Sequence, residues 1–251
     1  MRIHGSVMRD SSSTFFRICT VMRNDEFFVL MNDVRDDRSP LNKQGLLDIK
    51  KGKQCPVKDA NVAFPYDVRY IEQDTIFWNF NEQVTLDFDY LHFDGHIMSE
   101  RLFNVLSDYT SSPLKMKSVS VWMNGKEQTT TFKYLAFDQG EWRHGEQMHP
   151  SRVFYDTDHS SYEVGRLKEI IPTGRITLTN NATHYDFFEL LGSVYGLHSH
   201  LILNRKVKDD LAGQDFRGIK ILPLQQAFSE YCCDYNVRLS QLLPKRQRVM
   251  L

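Results

Sequence analysis

A chain of 251 residues with 41% hydrophobic and 25% charged side chains is long enough to bury a large core and too apolar to be disordered over most of its length. Its 31 Lys plus Arg against 32 Asp plus Glu leave a net charge of -1, which gives no global field for gathering phosphate backbones or anionic lipid. Nucleic acid and membrane are therefore not expected as main partners.

No apolar run approaches the roughly 20 residues of a bilayer span, and Met1-Arg2-Ile3-His4-Gly5 is not followed by the apolar stretch of an export signal. Cys19, Cys55, Cys232 and Cys233 contain no CxxC pair. That pattern suggests reduced thiols in a cytoplasm rather than a disulfide framework or a thiolate zinc site.

In chain order, Phe15–Val21 and Glu26–Met31 are β-branched and aromatic runs around Asn24-Asp25, which predicts a hairpin. Residues 32–58 are rich in Asp, Lys and Gly and carry Pro40 and Pro56, so a loop is expected, with at most one short element around Leu46, Leu47 and Ile49. The expected division is a β-rich region over 1–75 and an α+β domain over 76–251. Val84, Leu86, Phe88 and Tyr90 alternate with Thr85, Asp87 and Asp89, the period-two pattern of a strand with one wet face. Ser99 can cap a helix in which Leu102, Val105, Leu106 and Tyr109 share a face, ended by Ser111-Ser112-Pro113. Asn124-Gly125 joins strands predicted over 118–123 and 129–137.

Ile176–Thr179 predicts another short strand, and Thr183 a short helix with Phe187, Phe188 and Leu191 inward. Leu201-Ile202-Leu203 leads to Asn204 as a second cap, Val207 and Leu211 on one helix face, and Gly213 as a stop. Ile219–Leu222 is a further strand. A final helix is expected from about Leu224 to Leu243, with Leu224, Phe228, Tyr231, Tyr235, Leu239 and Leu242 along one face, before a solvated basic tail, Lys245-Arg246-Gln247-Arg248. The fold class is α+β, with mixed or antiparallel sheets and a few packed helices. Ile97–Leu106 and Ile202–Leu211 share the order strand, cap, basic first turn, helix, strand. Ser99 and Asn204 stand 105 positions apart. These two β-α-β-like units in the C-terminal two-thirds are either copies of one piece or two ordinary elements.

For chemistry, His92-Phe93-Asp94-Gly95-His96 is the most metal-like cluster. On an extended strand His92, Asp94 and His96 would share one face, as a metal needs; the alternative is a polar strand edge entering a turn. With His198 and His200 it keeps a metal-dependent hydrolase or nuclease open as a second function. Asp156-Thr157-Asp158-His159 lacks the ordered oxygen ligands and closing Glu of an EF-hand and reads as a solvated loop. No nucleophile elbow, phosphate loop, dinucleotide fingerprint or H-E-x-x-H occurs, and no residue pattern asks for a cofactor. The segment Asp138–Glu146 sets acids, Trp142 and Arg143 between glycines, side chains of the types that dominate binding hot spots. Trp142, Tyr155 and Trp78 are the expected aromatic anchors for a partner, with Asp138, Glu141, Asp156 and Asp158 as polar contacts.

Four pieces together resemble a known group. Ile97-Met98-Ser99-Glu100-Arg101-Leu102 looks like a strand running into a Ser-capped helix, and Phe132–Asp138 like an aromatic strand ending in Asp. Leu167–Ile171 through Leu178 looks like paired short strands, and Leu201–Leu211 with Arg217–Pro223 like a closing unit, Asn204 replacing the usual Ser. Their order, over rather more than half the chain, resembles bacterial immunity proteins, antidotes encoded beside polymorphic or type VI secreted toxins; the first seventy or so residues match less well. The resemblance implies a cytoplasmic inhibitor whose partner is a cognate toxin protein. It brings no catalytic residues, and toxin-contacting positions vary within such groups.

Overall fold

The computed structural model describes residues 26–38, 46–50 (backbone), 75–92, 95–137, 154–166, 169–190, 194–197 and 200–243. The strand expected at 15–21, and so its hairpin, lies outside them, as does the basic tail.

In chain order the elements are β1 (Phe27–Asn32), β2 (Leu46–Lys50), β3 (Thr75–Phe80), β4 (Tyr90–His92), β5 (His96–Ser99), α1 (Glu100–Leu106), β6 (Leu114–Met123), β7 (Lys126–Phe137), β8 (Tyr162–Val164), β9 (Ile170–Pro172), β10 (Phe187–Glu189), β11 (Leu201–Asn204), α2 (Arg205–Ala212), β12 (Ile219–Pro223), α3 (Leu224–Asp234) and α4 (Leu239–Leu242). Six consecutive buried residues cannot make a strand with a wet face, and β1 accordingly runs inside a four-stranded sheet of order β10-β11-β1-β12. A six-stranded sheet has the order β2-β3-β6-β7-β5-β4, with β3 parallel to β6 and its other pairs antiparallel. β8 and β9 form a short ribbon. The mixed α+β class is as expected. Residues on both sides of the expected 75/76 boundary share sheets, however: β2 pairs with β3, and β1 with β11 and β12.

One unit occurs twice. β5 and β6, joined through α1, flank β7; β11 and β12, joined through α2, flank β1. The registers repeat. Ser99 faces Phe132 while Leu114 faces Phe137; Asn204 faces Phe27 while Ile219 faces Asn32. The helices bury Leu102 and Leu106 in one copy and Val207 and Leu211 in the other. Even the polar joints match. The Ser99 side chain accepts from the Leu102 N–H at 3.1 Å, and Asn204 from the Val207 N–H at 3.0 Å. Ser99 donates its N–H to the Asp89 carbonyl (2.9 Å) and its hydroxyl to the Asp89 carboxylate (2.6 Å). Asn204 does the same with Asp186, at 2.8 and 2.7 Å. The difference lies in the central strand. β7 follows β6 through the Asn124-Gly125 turn, whose φ angles of 51° and 73° suit a tight hairpin, whereas β1 arrives from the other end of the chain.

Four expectations change. Residues 83–88 form no ladder; Phe88 is buried and Val84 and Leu86 pack on the six-stranded sheet, so alternation there reports a face, not a neighbouring strand. Ile176, Thr177 and Leu178 are all buried, and apart from one bridge between Leu178 and Tyr155 their backbone is satisfied by side chains, Gln225 on Ile176 and Ser160 on Thr177. Residues 180–184 make a 3-10 turn, and Phe187 and Phe188 belong to β10 rather than a helix. The last helix breaks after Asp234, where Asn236 takes a φ of 50°, so Leu239 and Leu242 sit on the separate turn α4.

The main core fills the space between β1, β10 and β11 and the inner residues Met98, Leu135 and Phe137, closed by the three longer helices. A second cluster covers the opposite face of the six-stranded sheet. Because the two caps are equivalent, Ser99→Ala and Asn204→Ala should each cost about 1 kcal/mol. Urea unfolding checks this; a cap whose loss costs nothing would break the equivalence.

Candidate functional site

The expected anchors separate at once. Trp78 is 2% exposed and packs among Phe80, Phe88 and Phe132, with ring centroids at 4.9, 5.8 and 5.7 Å. It is a core residue, because β3 lies inside its sheet. Tyr155 is 1% exposed beside Tyr162, and burial pushes its phenol up to about 12. Neither ring can be an anchor on a free surface.

Asp156 spends its carboxylate on its own turn. It accepts from the N–H groups of Asp158 (3.0 Å) and His159 (3.2 Å) and meets His159 Nδ1 at 2.8 Å. Asp158 and His159 are left exposed at the tip. Trp142, Asp138 and Glu141 lie outside the described residues, as do Asp94 and His198.

The histidines come together in a way their spacing does not predict. His92 and His96 do not share one extended strand; they face each other across the β4–β5 hairpin. Gly95 turns that hairpin at a φ of +149°, where a Cβ would run into the Tyr134 ring. His200, from the other sheet's approach to β11, stacks on His92 at 5.0 Å between ring centroids. His96 is fully buried. Its Nε2 lies 2.5 Å from Glu189 Oε1 on β10 and its Nδ1 2.8 Å from the Tyr90 hydroxyl. With Glu189 ionised, Nε2–H donates to the carboxylate and the Tyr90 O–H donates to Nδ1. Burial and the Glu189 charge hold the Tyr90 phenol well above its ordinary range, which suits it to donate.

This chain of groups joins β4 and β5 of one sheet to β10 of the other. Asn32 adds a second joint: its amide donates to the Tyr90 carbonyl (2.6 Å) and accepts from the His92 N–H (3.1 Å). Both ring nitrogens of His96 are thus committed, and the ligand role expected of it is not what its geometry serves. Among the described residues no group of three or more His, Cys, Asp or Glu is placed to hold a metal ion. Glu189 was invisible to motif spacing. The signal that could have found it is the repeat, since Glu189 occupies in the second unit the position of His92 in the first, facing Leu201 as His92 faces His96.

Recesses open on the surface of the described residues. One, of about 310 Å³, lies at the start of α2 between Phe27, Tyr185, Arg205 and Lys206. Another, of about 330 Å³, is a groove between α3, α4 and the segment after β9. Outside the groove lining, Lys220 bonds Glu230 at 2.8 Å and Asp234 at 2.5 Å, and Arg35 adds a second cation to both. Burial opposes the charge on Lys220, but the two carboxylates outweigh it and raise its pKa, while Lys220 holds Glu230 below the usual glutamate range.

Removing one member of the buried pair leaves the other without its partner. Glu189→Ala should cost about 1–3 kcal/mol, the penalty for a buried donor left unsatisfied, and the double change Glu189→Leu with His96→Leu should recover much of it. Guanidinium unfolding measures both; a single-variant loss under about 1 kcal/mol would show that the pair does not hold the sheets.

Residues 50–239 match the family model Imm43, Immunity protein 43. No curated protein matches the chain. The match runs from the last residue of β2 to the first of α4. It takes in Asp89, Ser99, Asp186 and Asn204, the polar joints of both repeated units, and every member of the Tyr90–His96–Glu189 chain. With more than half of its length matched, the chain belongs to the Immunity protein 43 family.

Proposed function

We propose that this chain neutralises one cognate bacterial toxin by binding it in the cytoplasm and occluding its active site or its access to substrate. Membership of the immunity family carries the proposal. The inward orientation of the buried polar groups supports it: His96, Glu189 and Tyr90 are buried and satisfy one another. A metal-dependent hydrolase finds no such support, since His96 is spent on those contacts. No described helix is long and apolar enough to cross a membrane. The toxin would be a polymorphic or type VI secreted effector, encoded beside its antidote.

Occlusion by a standard interface needs roughly 1,600 Å² of buried surface, with a few aromatic or Arg anchors carrying most of the affinity. The proposed contact surface keeps Trp142 as anchor, with Asp138, Glu141 and the exposed Asp158 as polar contacts and Asp156 holding the turn that presents Asp158. Trp78 and Tyr155 leave that set because they are buried.

Co-expression with the adjacent toxin should restore growth, and the two purified proteins should bind at about nanomolar strength. Survival no better than with an empty vector would end the proposal. Trp142→Ala should weaken binding by about 2 kcal/mol or more by calorimetry. Unchanged affinity on replacing Trp142, Asp138 and Glu141 together would remove that segment from the interface.

A further inference from the structure

We infer that the two repeated units pack on each other as the protomers of a twofold dimer would, fused in one chain, and that the junction between them opens and closes as a single body. In a twofold interface, if one residue of the first protomer touches another of the second, the reverse contact is made as well. Here, exchanging the units carries one set of contacts onto the other.

The closest match lies where each outer strand begins. β4 lies outside β5 and β10 outside β11, and Asp89 and Asp186 directly precede these strands. Each aspartate is tied to the cap of its own unit, Ser99 or Asn204. Each also reaches into the loop after the other unit's helix. Asp89 donates its N–H to the Arg217 carbonyl (3.0 Å), and its carboxylate accepts the Arg217 N–H (2.7 Å). Asp186 donates its N–H to the Thr110 carbonyl (2.7 Å), and its carboxylate accepts the Thr110 N–H (2.8 Å).

The residue before each clasped loop position is an aromatic ring, Phe216 or Tyr109. Over each ring stands the cation at the second position of the other unit's helix. Arg101 of α1 lies 4.7 Å from the Phe216 centroid, and Lys206 of α2 lies 4.8 Å from that of Tyr109.

The strands repeat the exchange with different chemistry. Tyr90 on β4 faces Met98, the residue before the first cap, and Phe187 on β10 faces Leu203, the residue before the second. Asn32 ends β1 as Phe137 ends β7. Asn32 bonds the Tyr90 carbonyl, whereas Phe137 packs on the Phe187 ring at 6.2 Å between centroids. The His96–Glu189 contact has its counterpart on the other side, where His92 stacks on His200, the neighbour of Leu201. Two sheets brought together by apolar burial alone need none of this pairing. Hydrogen bonds, cations over rings and apolar contacts that all recur in exchanged pairs amount to one packing mode used twice.

Each unit therefore both holds and is held. One clasp cannot part without the whole junction turning about the other, and the buried His96–Glu189 pair resists that turn. The inference concerns the chain alone and stands apart from the toxin-binding function proposed above.

Native-state amide exchange, followed by NMR on the full chain, reads the N–H groups of Asp89, Thr110, Asp186 and Arg217, all of which cross the junction. Asp89→Ala and Asp186→Ala should each speed exchange at both clasps, the one that is cut and the one that is untouched. The expected acceleration is at least about fivefold, the effect of one ordinary hydrogen bond. Acceleration confined to the clasp that was cut, or none at all, overturns the single body. If either variant fails to fold by thermal melt, Arg101→Leu and Lys206→Leu decide, since both cations are exposed. Each should speed both clasps at least about twofold, and an effect on one clasp only, or on neither, overturns the inference.

Discussion

His96 and Glu189 approach each other in a place no water reaches, one from each large sheet. Apolar packing between two sheets is non-directional; it rewards contact area and tolerates sliding. A buried imidazole between a carboxylate and a phenol tolerates neither, because any displacement strands a polar group without a partner. The pair therefore fixes which residues of β5 and β10 face each other, and Asn32 fixes β1 against β4 in the same way. Every surface offered to a partner is built on the relative placement these few bonds impose. Binding of the kind proposed would need that rigidity, since an interface that is ordered only on contact gives back part of its affinity.

Local chemistry was the legible part of the sequence. Ser99 and Asn204 cap their helices, Asn124-Gly125 turns its hairpin, and the short element at Leu46–Ile49 is β2, because each depends on side chains within a few residues. What depended on distant partners was not legible. The alternation in Val84–Tyr90 describes which side is buried but cannot say that the adjoining backbone goes unpaired. Phe187-Phe188-Glu189 has no period to distinguish a strand from a helix, and only the pairing with β11 decides it. Trp78 carries the chemistry of a hot spot and sits in a core, since exposure is a property of the sheet around it.

The candidate site divides along the same line. The histidine clusters at 92–96 and 198–200 stood out from their spacing, and His92 and His200 do meet. Their meaning changed with Glu189, a residue without a motif. A carboxylate supplied by a second sheet turns an apparent ligand set into an internal joint. The family, by contrast, was legible in the order of ordinary pieces along the chain and not in any one of them. That suits the binding role proposed, because recognition demands a shaped face, and faces are assembled from residues far apart in sequence.

The origin of β1 has a consequence for how the molecule is made. In the first unit the central strand follows its neighbours through a two-residue turn, so that sheet can close as soon as it is synthesised. In the second, the central strand is made well before its two neighbours, with β2 to β10 between them in the chain. Until then Phe27 to Met31 is an uncovered apolar strand. The loop that must close spans most of the chain, which is a slow step and exposes the nascent protein to aggregation. Speed of assembly, more than final stability, would then set how soon after synthesis a cell holds usable antidote.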